Sequence, residues 1–456
     1  MSGNFSLQEV REWSKKIEAL VEKNGLNPYP QEFEICDYEE MLNYETYLGM
    51  PSRYPHWSFG KAYERKKTFY RYNLSGLPYE MVINANPCLA YLMKDNTLLL
   101  QILTIAHVYG HNDFFRNNRL FRDGTRAELV LEMFKSHARR IRSYISDPSI
   151  GYNKVERMLD AAHALRLQCY RQVGQKSEDE KSQKARLLQQ AMPSPTDHPL
   201  LEKNKPSPLP DLHRIPLEPE EDILYFLMRY APLSEWEKDI LHMVREESFY
   251  FLPQIETKIM NEGWASFWHH RILNQLDLPQ PLYLEFMIRH NQVLRPHEGG
   301  INPYHLGFAI FTDLEKRHSG ESDFLFKVRE QERDASFIRR YLTGELCEEL
   351  NLFAYNKKGA RDYVITEIAD EDGWKQIRDT LATQVGMDMI PNVRVMEVQN
   401  AERVLHLEHE WEGKELQIKY AHETLRYIAQ LWGGKVRLRT RVRDTGQILE
   451  SEAYMR

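Results

Sequence analysis

The chain has 456 residues, 42% of them hydrophobic, which is enough for a large core and two or three domains. Its 60 basic and 67 acidic residues give a net charge of −7, which argues against nucleic acid or an anionic membrane as a general partner. The stretch MSGNFSLQEVREWSKK has no apolar core and no run approaches the ~18 apolar residues of a membrane span, so we expect neither a secretory signal nor a membrane-spanning helix. Its four scattered cysteines are typical of reduced thiols, so we expect a cytoplasmic protein.

The first segment predicts a helix followed by an irregular layer rich in aromatic residues. Helical periodicity covers Leu7–Asn24, and Gly25 is a plausible stop. Residues 27–73 then carry Tyr, Phe and Trp every few positions, with Pro and Gly between them. His56 lies in this layer and is a candidate third imidazole. A histidine that simply packs beside Trp57 is the alternative, which the sequence leaves open.

A short strand at Met81–Ile83 precedes the most informative helix of the chain, near Thr97–Phe115. This helix is apolar almost all the way round, so it should be buried, and it carries His107 and His111. Side chains four residues apart share one helix face, so these two imidazoles can bind one metal ion. The alternative is that each histidine is satisfied by backbone or by a carboxylate, because short motifs often match by accident.

Helical patterns follow at 124–145 and 153–173, and then the composition changes. No aromatic residue lies between Arg171 and Leu224, and eight prolines fall between Pro193 and Pro219. Such a segment cannot bury enough surface to fold by itself. We therefore predict a flexible, proline-rich loop or linker over residues 174–218, inserted in a larger body.

Two helices are predicted after this segment, near 219–230 and 234–251, and the second carries the carboxylate of Glu247. A further helix, predicted in PQIETKIMNEGWASFWHHRIL (253–273), places Glu262, Ser266 and His269 on one face, at positions i, i+4 and i+7. Its other positions are largely apolar, so these groups should also point into an interior. Burying them is costly unless they find partners or a cation.

The two polar faces together predict a metal site with His107, His111 and Glu262 as ligands, and with His269 as a supporting or alternative ligand. The spacing resembles that of zinc peptidases, in which a HExxH helix and a later glutamate hold zinc. Here Val108 stands where the catalytic glutamate would be, and valine cannot act as a base.

Any hydrolytic activity would therefore need another base, and Glu247, Asp113 and Glu262 are the candidates in the sequence. The metal itself is left open, because two histidines and one carboxylate suit zinc and also non-haem iron. We expect a divalent cation as the cofactor.

A later segment, 281–311, holds further candidates on a helix and a tight turn. Gly300 and the Asn302-Pro303 pair predict a loop that delivers Tyr304 and His305 to a defined place. Because loops often carry function, His305 is a candidate supporting ligand. Glu285 is a weaker candidate.

From about residue 388 the pattern becomes alternating, which predicts strands in PNVRVMEVQ, RVLHLEHEW, LQIKY and KVRLRTRVR. An amphipathic helix is predicted at Ala421–Leu431. We therefore expect a small α/β module over residues 388–456, appended to a mainly helical body over residues 1–387. The fold class predicted is α+β, with a zincin-like buried helix pair in the body.

The last predicted strand carries cations on one face, namely Lys435, Arg437, Arg439, Arg441 and Arg443. They could bind a polyanion, or they could face Glu408 and Glu410 of a neighbouring strand or protect a sheet edge. We favour the second explanation, since charged edges are common.

Several long strings resemble the stage V sporulation protein R (SpoVR) family: HWSFGK from His56, NANPC near Asn84, AHVYGHNDFFRNN from Ala106, TKIMNEGWASFWHHRI from Thr257 and NPYHLGFAIF from Asn302. The resemblance covers nearly the whole chain. It implies a role in endospore formation, in particular in assembly of the peptidoglycan cortex. Relatives also occur in bacteria that make no spores, so a general stress or envelope role stays open.

The resemblance implies a process and not a reaction. The family-motif positions that it carries over are His56, His107, His111, Asp113, Glu262, His269 and His305. One hypothesis is a metal-dependent hydrolase acting on a precursor of the spore envelope. The alternative is a non-enzymatic regulator or scaffold that works through protein partners. A third, polyanion binding through the basic strand, would require steep salt dependence.

Overall fold

The structure is a computed structural model that describes residues 5–72, 80–174, 178–192, 209–296, 300–321, 323–357, 363–368, 370–399, 402–442 and 445–452. Its helices in chain order are α1 (Leu7–Lys23), α2 (Tyr38–Thr46), α3 (Trp57–Arg71), α4 (Leu98–Asn117), α5 (Arg119–Gly124), α6 (Val130–Ser146), α7 (Tyr152–Leu165), α8 (Glu180–Ala191), α9 (Ile223–Tyr230), α10 (Glu235–Glu256), α11 (Lys258–Gln275), α12 (Gln280–Val293), α13 (Pro303–Arg317), α14 (Phe324–Gln331), α15 (Asp334–Tyr341), α16 (Gly344–Glu349), α17 (Gly373–Ala382) and α18 (Ile418–Trp432).

The strands form three sheets. They are β1 (Gln31–Cys36), β2 (Glu80–Ile83), β3 (Cys88–Met93), β4 (Phe353–Lys357), β5 (Tyr363–Ile368), β6 (Val393–Gln399), β7 (Val404–His409), β8 (Lys435–Val442) and β9 (Thr445–Glu452). The sheet orders are β1-β3-β2, β4-β5 and β6-β7-β8-β9. The predicted fold class of a predominantly helical α+β protein is confirmed.

The chain divides into two compact units, Met1–Ser149 with Phe249–Met389, and Ile150–Ser248 with Ile390–Arg456. The predicted domain boundary between 387 and 388 stays a prediction, and so does the linker over 174–218. Helix α8 lies within that segment, while its residues 175–177 and 193–208 lie outside the described ones.

Helix α4 is central to the first unit, and every residue from Leu99 to Phe115 is buried. The predicted helix near Thr97–Phe115 is thus confirmed, with Thr97 as its N-cap: the Thr97 side chain accepts a hydrogen bond from the backbone of Leu100. A helix apolar all round must be surrounded, and α4 packs against α1, α11 and α12 and against strand β3. Imidazoles on such a helix are held away from bulk water.

Helix α11 contacts α4 and also α13, and small residues bring the backbones close. A Cβ atom added at Gly110 would lie 2.6 Å from the Cα of Ala265, and one added at Gly263 would collide with the backbone of Gly307. Only glycine fits where backbones approach this closely. The three helices therefore present their polar side chains to one another at short range.

A distant carboxylate fixes the start of α11. The two carboxylate oxygens of Asp334, at the first position of α15, accept hydrogen bonds from the backbone N–H groups of Ile259 (2.8 Å) and Met260 (2.9 Å). These are among the N–H groups that have no partner within the helix. Asp334 is itself buried, so this contact sets where α11 begins.

In the second unit, α18 packs against β8 and β9 of the four-stranded sheet. Strand β7 runs antiparallel to β6 and parallel to β8, and β9 returns antiparallel to β8. The strand predicted in LQIKY was wrong. Gln417 is instead the N-cap of α18, because this segment begins the amphipathic helix that buries Leu425, Ile428 and Trp432. Strand β9 was not predicted.

Candidate metal centre

Two imidazoles from α4 meet at the centre of the candidate site. His107 and His111 lie one helical turn apart, and their Nε2 atoms are 3.1 Å from each other. The two residues are 4% and 6% exposed, so both rings are removed from solvent. The two nitrogens face the same point, as the sequence spacing predicted.

Helix α11 brings Glu262 to this pair. Its Oε2 atom lies 3.4 Å from Nε2 of His111 and 3.7 Å from Nε2 of His107. The atom is buried, yet it accepts no well-formed hydrogen bond from any residue that the structure describes. A buried carboxylate oxygen without a donor is costly, so this arrangement calls for a positive charge between the three atoms.

A second carboxylate, which we did not predict, comes from β2. Oε1 of Glu80 lies 4.0 Å from Nε2 of His107. Glu80, His107 and His111 offer ligand atoms within 4.8 Å of one another and could hold a metal ion. In the sequence, Glu80 is only an acidic residue at the start of a short apolar strand. Its long separation from α4 gave no sign that the two would meet.

The surroundings of the cluster favour the ionised form of Glu262 and the protonated form of His111. Burial opposes ionisation of Glu262, but the imidazoles of His107 and His111 outweigh it and lower the pKa of this carboxyl. Burial acts to lower the pKa of His111 as well, while Glu262 raises it, and the net effect is a raised pKa. Burial raises the pKa of Glu80. Of the two carboxyls, Glu262 is therefore the one whose ionised form the cluster favours.

The outer nitrogens of both imidazoles have defined partners. Nδ1 of His111 is 2.9 Å from Oδ1 of Asn261, and Nδ1 of His107 is 2.9 Å from Nδ1 of His269. Nε2 of His269 is in turn 2.8 Å from Nδ1 of His290 on α12. Such outer contacts orient metal-binding imidazoles in other proteins. Burial lowers the pKa of His269 and that of His290, the latter to about 3, so both rings are neutral.

The segment predicted as a loop at Asn302-Pro303 begins helix α13, with Asn302 as its N-cap, and the first turn of this helix brings Tyr304, and not His305, to the cluster. The Tyr304 ring stacks on His107 with centroids 6.1 Å apart. The charge of Glu262 raises the pKa of the Tyr304 hydroxyl well above its usual value. His305 instead lines a separate cavity of about 430 Å³ with Phe308 and Lys316. The supporting role predicted for His305 stays a prediction, and the residue that stacks on His107 is its neighbour Tyr304.

The other residues predicted for the site make contacts that stabilise their local structure. Asp113 is buried, accepts hydrogen bonds from the Asn27 backbone (2.7 Å) and the Trp264 indole (2.8 Å), and lies 3.5 Å from Arg329. A carboxylate with three such partners is suited to fixing the fold, not to moving protons.

His56 caps the start of α3 and contacts Ser58 and Trp57, which matches the packing alternative. Glu247 is buried on α10 and belongs to the second unit. Glu285 accepts a hydrogen bond from Thr97. Among the residues that the structure describes, the group that could hold a metal ion is formed by Glu80, His107 and His111. His56, Glu247 and Glu285 do not belong to that group.

The three central donor atoms fit a small divalent cation. Zinc binds imidazole nitrogen and carboxylate oxygen at about 2.0–2.2 Å, so tetrahedral ligands are spaced about 3.3–3.5 Å apart. The triangle formed by the two Nε2 atoms and Oε2 of Glu262 has edges of 3.1, 3.4 and 3.7 Å. Glu80 and Tyr304 both lie beside His107, the first through its carboxylate and the second through its ring.

Comparison with known proteins assigns the chain. The family model described as SpoVR like protein matches residues 4–390, and that described as SpoVR-like C-terminal domain matches residues 391–442. The chain belongs to the SpoVR family. The resemblance noted in the sequence motifs is thereby confirmed, and the C-terminal match begins at Pro391, just before β6.

Within the SpoVR family, the chain is similar to "Uncharacterized protein YcgB" of Escherichia coli (strain K12). The two are 33% identical over 480 residues, which cover 96% of this chain and 93% of the relative. No solved structure matches the chain. Across the residues that the structure describes, no helix has the length and apolar character that crossing a membrane requires.

The basic strand β8 of this SpoVR protein is mostly neutralised by its neighbours. Lys435 and Arg437 pair with Glu450 of β9, and Arg439 pairs with Glu408 of β7. Pairing with Glu408 was predicted. The suggestion of an edge strand was wrong, because β8 lies between β7 and β9, and Glu410 pairs with Arg394 instead. Arg443 lies outside the described residues.

Proposed function

We propose that this SpoVR protein uses a divalent metal ion, held by Nε2 of His107, Nε2 of His111 and the carboxylate of Glu262, in formation of the spore cortex peptidoglycan. The helix pair that carries the ligands is zincin-like in this proposal, with a HxxxH helix and a later glutamate. The protein acts in the cytoplasm on an envelope precursor. Zinc is the first choice of metal and iron the second.

The observation that carries the proposal is the triangle of donor atoms with its unsatisfied member, Oε2 of Glu262. A proton on Nε2 of one imidazole could balance the charge of the Glu262 carboxylate. The lone pair on Nε2 of the other imidazole would then still lack a partner. A divalent cation would satisfy all three atoms at once. The ligands come from two helices whose spacing is fixed by Gly110 and Ala265, so the triangle is preorganised for one small ion.

A bound divalent cation would supply a Lewis acid and an acidified water at the open position. Val108 cannot serve as the base, and in this proposal Glu80 takes that part. Its Oε1 atom lies 4.0 Å from Nε2 of His107, and burial raises the pKa of this carboxyl, as is common for groups that transfer protons. Tyr304 has a hydroxyl that stays protonated beside Glu262, and it can donate a hydrogen bond to a bound substrate.

The proposed process, formation of cortex peptidoglycan, is taken from the family. The proposed reaction class, a metal-assisted step, is taken from the ligand atoms of the site. The SpoVR name connects the family with sporulation, whereas members in bacteria without spores would act on other envelope peptidoglycan. Muropeptide analysis tests this part. A host that carries Glu262→Gln in place of the wild-type gene should show altered cortex or wall peptidoglycan, and an unchanged profile with normal protein levels would contradict it.

A non-enzymatic regulator or scaffold is the second candidate. It is favoured by Val108, which is fully buried and leaves α4 without the base of a peptidase helix. In that case the metal would hold α4 and α11 together, and partner proteins would bind elsewhere. Glu80→Gln separates the candidates: an enzyme loses its envelope phenotype while still binding metal, and a scaffold keeps both.

Elemental analysis of protein purified without a histidine tag tests the centre itself. We expect about one zinc or iron ion per chain in the wild type and near zero in His111→Ala and Glu262→Ala. His270→Ala is the matched control, because His270 neighbours His269 but its Nε2 is paired with Asn274. Metal-free wild-type protein that also fails to take up Zn²⁺ or Fe²⁺ would refute the proposal.

A further inference from the structure

Three buried imidazoles form a continuous line away from the centre. His107 contacts His269 through their Nδ1 atoms (2.9 Å), and Nε2 of His269 contacts Nδ1 of His290 (2.8 Å). His269 is 0% exposed and His290 is 4% exposed. Neither contact can exist unless one nitrogen carries a hydrogen and the other a lone pair. When the rings are neutral, both hydrogen bonds along this line therefore donate in the same direction.

Two directions satisfy every contact when the rings are neutral. In the outward direction, Nδ1–H of His107 donates to His269, and Nε2–H of His269 donates to His290. In the inward direction, Nδ1–H of His290 donates to His269, and Nδ1–H of His269 donates to His107. Then His107 carries its hydrogen on Nε2, where it can donate to Nε2 of His111, 3.1 Å away.

Only the outward direction frees Nε2 of His107 to bind a cation. The inward direction gives both imidazoles partners without metal, because a hydrogen then lies between the two Nε2 atoms and the Asn261 amide oxygen accepts from Nδ1–H of His111. It leaves Oε2 of Glu262 without a donor. The same heavy-atom positions thus serve two hydrogen arrangements. The choice between them requires no movement of α4, α11 or α12.

We infer that His290 is a positioning residue that sets, through His269, which nitrogen of the ligand His107 faces the metal, and that metal binding reverses this hydrogen-bonded line. The inference rests on the proposed metal centre. On reversal the Nε2 proton of His107 leaves to solvent as the metal binds, the two hydrogens within the line each cross their contact toward His107, and Nε2 of His290 takes up one proton from solvent. Each imidazole therefore has one hydrogen before and after. No net proton is taken up or released along the line.

Nitrogen-15 NMR of the histidine rings tests the reversal directly. Spectra of the full chain would be taken on the alkaline side of the imidazole range, first metal-free and then with Zn²⁺, which is diamagnetic. We expect the hydrogen of His290 on Nδ1 without Zn²⁺ and on Nε2 with it. The same nitrogen protonated in both samples would overturn the inference.

Substitutions test the positioning role through metal affinity. His290→Leu removes the acceptor, so Nε2–H of His269 would be buried without a partner in the outward direction. We expect the Zn²⁺ affinity, measured by competition with a chromogenic chelator, to fall about 10- to 100-fold. His290→Asn returns an oxygen near the place of Nδ1 and should restore the affinity to within about threefold. His270→Asn, next to the line but outside it, is the matched control.

The outcomes separate this inference from the metal proposal. If the wild type binds Zn²⁺ and His290→Leu binds it equally tightly, the positioning role is wrong and the metal centre stands. If the wild type binds neither Zn²⁺ nor Fe²⁺, the metal proposal fails and this inference fails with it. Should His290→Leu not fold, the wild-type NMR experiment still decides the matter.

Discussion

The α4–α11 interface and the open face of the β6–β9 sheet use charged side chains in opposite ways. On the sheet, each of Lys435, Arg437 and Arg439 meets a carboxylate of a neighbouring strand at the surface. At the helix interface, Glu262 is partly buried beside two imidazoles, and its buried Oε2 atom lacks a hydrogen bond from the described residues. Exposed charges that pair off need no ligand, whereas buried ones that converge without full satisfaction indicate a binding site.

The largest effect on stability is expected from removing the metal, and this effect belongs to the α4–α11 interface and not to the sheet. A ligand present at about 1,000 times its Kd stabilises the folded protein by about 4 kcal/mol. We therefore expect a chelator to lower the melting temperature of the metal-loaded protein by several degrees, as measured by calorimetry. His111→Ala should show no such change. Equal melting curves with and without chelator would mean that the centre holds no metal.

Helix spacing around the centre should be the next most sensitive feature. A Cβ atom at Gly307 would collide with the backbone of Ile259 and Gly263, so Gly307→Ala must push α13 away from α11. We expect a loss of about 3 kcal/mol in the free energy of unfolding, measured with denaturant. Gly320→Ala is the matched control, since a Cβ there meets nothing within 4 Å. Similar losses for both would contradict the packing argument.

The distant cap on α11 should have a moderate effect. Asp334→Ala leaves the N–H groups of Ile259 and Met260 without their acceptor, which should cost about 2 kcal/mol of stability. Asp334→Asn keeps one acceptor oxygen and should recover part of the loss. If the alanine variant is as stable as the wild type, another group must satisfy these N–H groups.

The sequence predicted the elements that depend on local pattern. Helix α4, the shared face of His107 and His111, and the inward face of Glu262 all follow from helical periodicity. Strand β3 was missed because its continuous apolar run, Cys88–Met93, has no alternation.

Long-range partners could not be found this way. Glu80 reaches His107 only because β2 pairs with β3, and His290 reaches His269 only because α12 packs beside α4. Tyr304 and His305 are neighbours in sequence and differ in role because a helix turns successive side chains by about 100°. A single sequence carries no information on which of the two faces inward.

Metal affinity should depend on pH in a defined sense. A ligating imidazole must be neutral, and Glu262 raises the pKa of His111 above 6.5 in the metal-free protein. Protons therefore compete with the metal below that raised pKa. We expect the apparent Zn²⁺ affinity to rise with pH by up to about tenfold per unit and then to level off. A competition titration between pH 5.5 and 8.5 measures it, and an affinity independent of pH would exclude His111 as a ligand.

The smallest effect on stability is expected from a substitution on the four-stranded sheet. Arg439 is exposed and pairs with Glu408 at the surface, where water and salt screen the attraction. Arg439→Ala should therefore leave the melting temperature within experimental error, at low and at moderate salt, and should not change metal content. A large loss of stability would show that the open face is not a solvated surface. The contrast with Glu262 would then have to be explained by something other than burial.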